Sequence, residues 1–255
     1  MDTKLYTIIL AAGEGKRMKS DIPKVFHPIG GLPMIEYILR RAIDLPSDKV
    51  IVVVGIGKEI IMDYVAKRYE DAIFVHQDKQ LGTADAVRSA SQELSELEGD
   101  VLILNGDVPL IKHVLIKDFY EQYKASKASL GFITSTLDNP EGYGRVIKKA
   151  GKFKIVEEND ADDKVKKVKE INAGIYLASC KLLLKALEDV EVLDGIGGHA
   201  APAEQGGPAE VVALEEREAL GAGLLELLLG FNFFGKQSDA LSTQALEETL
   251  AVSGT

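Results

Sequence analysis

The residues best suited to chemistry begin where the first apolar run ends: Leu10-Ala11-Ala12-Gly13-Glu14-Gly15-Lys16-Arg17-Met18, followed by Pro23-Lys24. Small residues at 11, 12, 13 and 15 let backbone N–H groups approach a polyphosphate or a base edge closely. Arg17 and Lys24 add positive charge over that loop. It is not a Walker A loop, since no Gly-Lys-Ser/Thr follows, and Met18 breaks the dinucleotide-binding G-x-G-x-x-G pattern. Gly13 and Gly15 by themselves would suit an ordinary strand-to-helix turn; the run through Lys24 is what points to phosphate. Asp107 follows a second apolar run, 101–104, where a carboxylate can hold a hard cation between phosphates or simply form a turn before Pro109. Gln77 offers a paired donor and acceptor, and Gly82 bare backbone, beside Thr83, which can cap the helix that starts there. Taken singly, a loop glutamine is ordinarily solvated, and Glu157 and Asn172 have the character of solvent-facing strand residues.

The elements that must position these groups alternate up to about residue 130. Continuous apolar runs at 5–10, 50–54 and 101–104, with a weaker one at 72–75, suit strands buried on both faces. Between them, apolar residues recur at helical spacing in 34–42, 60–68 and 84–94. The pattern predicts an α/β fold, a Rossmann-like, mostly parallel sheet with helices on both faces, whose ligands lie beyond the carboxyl ends of the strands. From about 129 the stretches 129–137, 145–148, 152–157 and 168–177 alternate like strands. They predict a β-rich insertion closing over the mouth of the first sheet, followed by a short helix at 181–187. The organisation expected is therefore 1–192 as one domain, with a nucleotide-binding half to about 128 and a β-rich part from 129 to 192.

Composition narrows the partners. The 255 residues are 46% hydrophobic and 27% charged, as in ordinary globular proteins. A formal charge of −10 argues against a general grip on nucleic acid or anionic lipid. Cys180 is the only cysteine, so no internal disulfide can form, and no apolar run approaches the roughly 20 residues of a membrane span. A reduced, cytoplasmic protein is expected. His27, His76, His113 and His199 show no metal-binding spacing, and no Ser-His-Asp pattern is present.

Six ordered motifs carry a resemblance beyond these generalities. Pro23-Lys24-Val25-Phe26-His27, Gln77 with Gln80-Leu81-Gly82-Thr83-Ala84, Asn105-Gly106-Asp107-Val108-Pro109-Leu110, Gly142-Tyr143-Gly144-Arg145-Val146-Ile147, Val156-Glu157-Glu158 and Glu170-Ile171-Asn172-Ala173-Gly174-Ile175-Tyr176 follow the glycine-rich run. Over residues 4 to 190 the chain resembles the sugar-1-phosphate nucleotidyltransferases. In detail it is similar to the uridylyltransferase domain of the bacterial bifunctional N-acetylglucosamine-1-phosphate uridylyltransferase/glucosamine-1-phosphate acetyltransferases. The resemblance implies a Mg²⁺-dependent enzyme that makes UDP-N-acetylglucosamine and pyrophosphate from UTP and N-acetylglucosamine 1-phosphate, supplying peptidoglycan and lipopolysaccharide synthesis. It implies catalytic roles for Arg17, Lys24 and Asp107. Substrate binding would fall to Leu10, Ala11, Ala12, Gly13, Lys24, Gln77, Gly82, Thr83, Asn105, Gly106, Asp107, Gly144, Glu157 and Asn172, with uridine at Gln77 and Gly82 and the sugar at Gly144, Glu157 and Asn172. Asp107 and Asn232, in Leu229-Gly230-Phe231-Asn232, would be the metal ligands.

The pattern departs after residue 192. Where the family has a tyrosine-rich segment, Gly195-Ile196-Gly197-Gly198-His199-Ala200-Ala201-Pro202 stands instead, and Phe233-Phe234 replaces the residues that follow the family's metal-binding asparagine. Residues 193–255 carry two basic side chains, Arg217 and Lys236, against ten acidic ones, and no tyrosine. Such a bias fits a shifted reading frame or an engineered tail, either completing the domain or aberrant. No six-residue β-helix repeat occurs, so acetyl transfer is not expected, and the oligomeric state that a β-helix would set is left open. Two other readings are compatible with the motifs: a sibling transferase using another base or sugar, and a sugar-nucleotide-binding module without turnover.

Overall fold

A computed structural model describes residues 3–195, apart from 14, 16, 17, 80, 81, 127, 150, 151 and 159. Four strands make the parallel half of the sheet: β1 (Leu5–Ala11), β4 (Ser47–Val54), β5 (Ile73–His76) and β6 (Asp100–Asn105). They are ordered β5-β4-β1-β6. The chain builds outward from β1 through β4 to β5 and then returns to the other side of β1 for β6. The order of connection therefore reverses between β1 and β6, whose outgoing connections run in opposite directions along the sheet, and this is where an open α/β sheet offers a crevice.

The continuous apolar runs arise because both faces of this sheet are covered. Ile8, Ile51, Val53, Val101 and Ile103 pack one way, against Val87, Leu94 and Leu183. Ile9, Val52, Val54, Leu102 and Leu104 pack the other way, against Ile38, Leu39, Ile61, Val65 and Ile116. Helices α3 (Thr83–Ser89), α4 (Ser91–Leu94) and α6 (Cys180–Gly195) thus cover the first face. The second is covered by α1 (Met34–Ile43), α2 (Lys58–Ala66) and α5 (His113–Ser126). A short antiparallel pair, β2 (Pro28–Ile29) and β3 (Leu32–Pro33), precedes α1.

The β-rich segment consists of β7 (Leu130–Thr136), β8 (Arg145–Lys149), β9 (Lys152–Val156) and β10 (Glu170–Ser179). It joins the same hydrogen-bonded sheet, where the sequence suggested an insertion over its mouth. β10 runs antiparallel to β6 and also pairs with β7 and, through Ile171 and Arg145, with β8. The helix expected over 84–94 is interrupted at Ala90, whose backbone leaves the helical region at φ −89° and ψ 0°. The helix expected at 181–187 extends to Gly195. Helix α5 was not foreseen, although its buried residues Ile116, Tyr120 and Tyr123 keep helical spacing.

Leu102 is wholly buried at the centre of β6. Leu102→Ala should lower the unfolding free energy by about 2–5 kcal/mol, seen as a lower urea midpoint with unchanged slope. A shift of less than about 1 kcal/mol would contradict this packing.

Candidate active site

The crevice between β1 and β6 gathers the phosphate-directed residues. Asn105 ends β6, and Gly106 N–H donates to the Leu10 carbonyl at 2.9 Å, holding the two loops together. Asp107 comes next and forms an ion pair with Lys24, Nζ to Oδ2 2.8 Å. Lys24 opens a single turn of 3-10 helix, Lys24–Phe26, whose Val25 is buried in the core. Gly15 fixes the approach of the glycine-rich loop to that turn. Its φ is +64°, and a Cβ there would lie 2.6 Å from the Lys24 Cβ. A side chain at 15 would therefore be strained and would push Lys24 aside. By contrast, a Cβ on Gly13 would meet nothing within 4 Å, so the backbone at Gly13 fronts open space. Arg17 lies outside the described residues, as does Asn232.

On the other side of β1, Gln77 follows β5 and is tied to the sheet by its N–H, which donates to the Val54 carbonyl at 2.9 Å. Its side chain is buried, and its Nε2 donates to the Gly82 carbonyl at 3.2 Å and to Asp85 Oδ2 at 2.8 Å. The amide donor is thus engaged inside the protein, and its carbonyl oxygen is the group free of these bonds. Asp85 is a fixing residue that the sequence did not single out, though it falls one turn into the helix after the Gln77 motif. The capping role foreseen for Thr83 is not present: Gly82 is the cap position of α3, Thr83 is already helical, and no side-chain cap bond forms.

The β-rich residues reach the same end of the sheet because β10 is antiparallel to β6. Its first residues therefore lie beside the last residues of β6, and Asn105 Nδ2 donates to the Gly174 carbonyl at 3.2 Å. Asn172 is buried where a solvent-facing position was plausible from residue type alone. Its N–H donates to the Gly144 carbonyl at 2.9 Å, its Oδ1 accepts from Gly174 N–H at 3.0 Å, and its Nδ2 donates to the Tyr176 hydroxyl at 2.5 Å. Gly144 is required by Glu157, since a Cβ at 144 would lie 2.7 Å from Glu157 Oε1. The Glu157 carboxyl is raised to about 7, by burial first and then by Asp160, with Arg145 opposing both.

A metal ion would find little protein at this site. Among the described residues no group of three or more His, Cys, Asp or Glu could hold one. Asp107 alone suits a hard cation that takes most of its oxygens from phosphates and water, as Mg²⁺ does. A cavity of about 760 Å³ lies at the opposite, amino-terminal end of the strands, lined by Lys4, Asp48, Asp100, Tyr123 and neighbours. It contains none of the residues named above, and ligands of open α/β sheets bind at the carboxyl ends.

A reversed strand order, a glycine-rich loop and a lysine–aspartate pair at the crevice describe a nucleotidyltransferase. Residues 7–170 match the MobA-like NTP transferase domain family, and the chain belongs to it. Over 193 residues, 74% of the chain, it is 42% identical to bifunctional protein GlmU of Desulfotalea psychrophila, covering 56% of that protein. To bifunctional protein GlmU of Streptococcus mutans it is 41% identical over 194 residues, 75% of the chain and 42% of the relative. The chain thus spans about half the length of the curated relatives it matches. The fold is shared with a UDP-glucose pyrophosphorylase solved with UDP-glucose, at TM-score 0.60 and 18% identity, over 73% of this chain and 80% of that one. It is shared also with HddC from Yersinia pseudotuberculosis solved with GMP-PN, at TM-score 0.54 and 24% identity, over 70% of this chain and 78% of that one. No helix of the described residues is long and apolar enough to cross a membrane.

The raised Glu157 carboxyl has a measurable sign. Its folded value of about 7 lies above its ordinary 4.5, so its contribution to stability is complete below about 4.5 and is lost as pH rises through about 7. Glu157→Gln should flatten the fall in stability across that window, as read by denaturant unfolding at a series of pH values. Equal pH dependence in the two proteins would contradict the buried carboxyl.

Proposed function

We propose that this chain joins UTP to N-acetylglucosamine 1-phosphate, releasing pyrophosphate and forming UDP-N-acetylglucosamine. The observation that carries the reading is the Lys24–Asp107 pair at the crevice between β1 and β6. It puts one cation and one metal-binding carboxylate beside a glycine-rich backbone, the equipment for moving phosphoryl charge. The similarity to the two GlmU proteins favours uridine and N-acetylglucosamine among the possible bases and sugars.

In this reading a phosphate oxygen of the sugar 1-phosphate attacks the α-phosphorus of UTP in line. A new P–O bond forms there, the bond to the bridging oxygen breaks, and pyrophosphate leaves. The attacking phosphate is already ionised, so neither a protein nucleophile nor a general base is needed; catalysis is positioning and charge neutralisation. Lys24, with Arg17, would bind the triphosphate oxygens, and the backbone of residues 10–13 would cradle the nucleotide. Gln77, fixed by Asp85, would present its carbonyl oxygen to the uracil N–H, and Gly82 would approach the base through backbone alone. Gly144, Glu157 and Asn172 would border the sugar, with Thr83 nearby. Asp107, with Asn232 as a second proposed ligand, would hold Mg²⁺, which when bound supplies charge neutralisation at the phosphates. The reading places the protein among cytoplasmic suppliers of cell-wall and lipopolysaccharide precursors, with small molecules rather than nucleic acid or membrane as partners.

Pyrophosphate release measured across a panel of nucleoside triphosphates and sugar phosphates tests the assignment. UTP with N-acetylglucosamine 1-phosphate should turn over fastest; faster turnover with thymidine or cytidine nucleotides would give the site to a sibling reaction. Uridine-sugar binding with no release above background would leave a binding module. Lys24→Ala and Asp107→Ala should each lower kcat/KM by about 10²–10³-fold, and undiminished rates in both would remove these residues from the site.

A further inference from the structure

Arg145 is the largest fully buried side chain among the described residues, 1% exposed, and the phosphate chemistry above leaves it without a task. Its Nη2 lies 2.7 Å from Glu158 Oε2, and its Nη1 donates to the Tyr143 carbonyl. The same Glu158 oxygen accepts from Gly142 N–H at 3.0 Å. One guanidinium and one carboxylate therefore tie the turn 142–144, at the start of β8, to the end of β9. Gly144 in that turn stands against the Glu157 carboxyl and accepts the Asn172 N–H.

We infer that Arg145 is a positioning residue for the sugar side of the site: its guanidinium fixes the turn 142–144 and lays a permanent positive charge beside Glu157. The inference rests on the proposed sugar-nucleotide reaction for its consequence, though not for its geometry.

Stability is a poor explanation for this arginine. A buried ion pair contributes little net stability, because desolvation offsets the attraction. The Arg145 Nε also has no hydrogen-bond partner among the described residues, a further cost. What Arg145 does supply is charge where Glu157 has no other cation among the described residues. The titratable groups facing Glu157 are Arg145 on β8, Asp160 after β9 and Tyr176 on β10. Of these, Asp160 raises the Glu157 carboxyl, as burial does, and Arg145 alone lowers it. Glu158 is held below its ordinary value: burial pushes it up, but the Arg145 and Gly142 hydrogen bonds outweigh that, with Arg145 and Lys166 charge assisting. Glu158 is thus the anchor of the arginine and Glu157 the group it governs. With Arg145 in place, Glu157 is an acceptor for a sugar hydroxyl or amide N–H above about pH 7; without it, the protonated form persists and acts as a donor instead.

The test is the titration of Glu157 in the full chain carrying ¹³C-labelled glutamate carboxyls, with its resonance identified through Glu157→Gln. Relative to the unaltered chain, Arg145→Met should raise the midpoint by about one unit, whereas Arg145→Lys, which keeps the charge, should leave it in place. Glu158→Gln removes the anchor from a partly exposed position and should lower the midpoint, which keeps the test decisive if Arg145→Met does not fold. In steady state, Arg145→Met should raise KM for N-acetylglucosamine 1-phosphate about tenfold while KM for UTP changes by less than about twofold, with the acid limb of the sugar kcat/KM profile displaced to higher pH. Unchanged titration in Arg145→Met, or in Glu158→Gln where the first variant does not fold, overturns the inference, as does a parallel rise in both KM values. If the unaltered chain gives no turnover, the substrate assignment falls, while the titration still decides whether Arg145 governs Glu157.

Discussion

The reversal of connection between β1 and β6 is the constraint on which the rest depends. Two neighbouring parallel strands whose outgoing connections run in opposite directions along the sheet leave open the space beyond their ends. Leu10 and Gly106 bridge the floor of that space with one hydrogen bond, and Lys24 and Asp107 face each other above it. Opposite charges 2.8 Å apart and little exposed stabilise each other at modest net benefit, since each has given up water. A polyanion with a divalent cation satisfies both at once, the lysine by phosphate and the aspartate by metal. The pair is therefore complementary to a metal-bound triphosphate as a whole more than to either component.

The side proposed to take the sugar obeys a different rule. No cation–carboxylate pair opens onto it; its polar groups are hydrogen-bonded to one another, Asn172 to Gly144, Gly174 and Tyr176, and Arg145 to Glu158 and Tyr143. Neutral hydroxyls and amides are read by donors and acceptors held in fixed directions, and a network of this kind supplies that fixity. Glu157 is the exception, a carboxyl whose charge depends on its surroundings.

Much of this was legible in the residues. The apolar runs located the four parallel strands because both faces of the sheet are buried, and ordered motifs pointed to the loops at the strand ends. The β-rich stretches were found, but not their membership of the same sheet, since alternation along a strand says nothing about its neighbour. Thr83 looked like a cap because of its type, yet Gly82 takes that place with φ +112°. The roles of Asp85, Glu158 and Arg145 went unread for a common reason. Their roles are contacts with residues whose proximity is created by turns, and a linear pattern records spacing without orientation. Asn172 looked solvent-facing because polar residues on strands usually are; it is buried, where Gly144, Gly174 and Tyr176 satisfy its polar groups.

Strand β10 belongs to both halves at once. It hydrogen-bonds to β6 along its later residues, to β7 at both its earlier and later residues and to β8 at Ile171, and the Gly174 carbonyl accepts directly from Asn105. Among the described residues there is consequently no seam along which the parallel and β-rich portions could be exchanged as modules. A chimaera assembled from two relatives would have to match a single strand on two flanks simultaneously, so the proposed sugar preference would change by substitution within the sheet and its turns rather than by shuffling of parts.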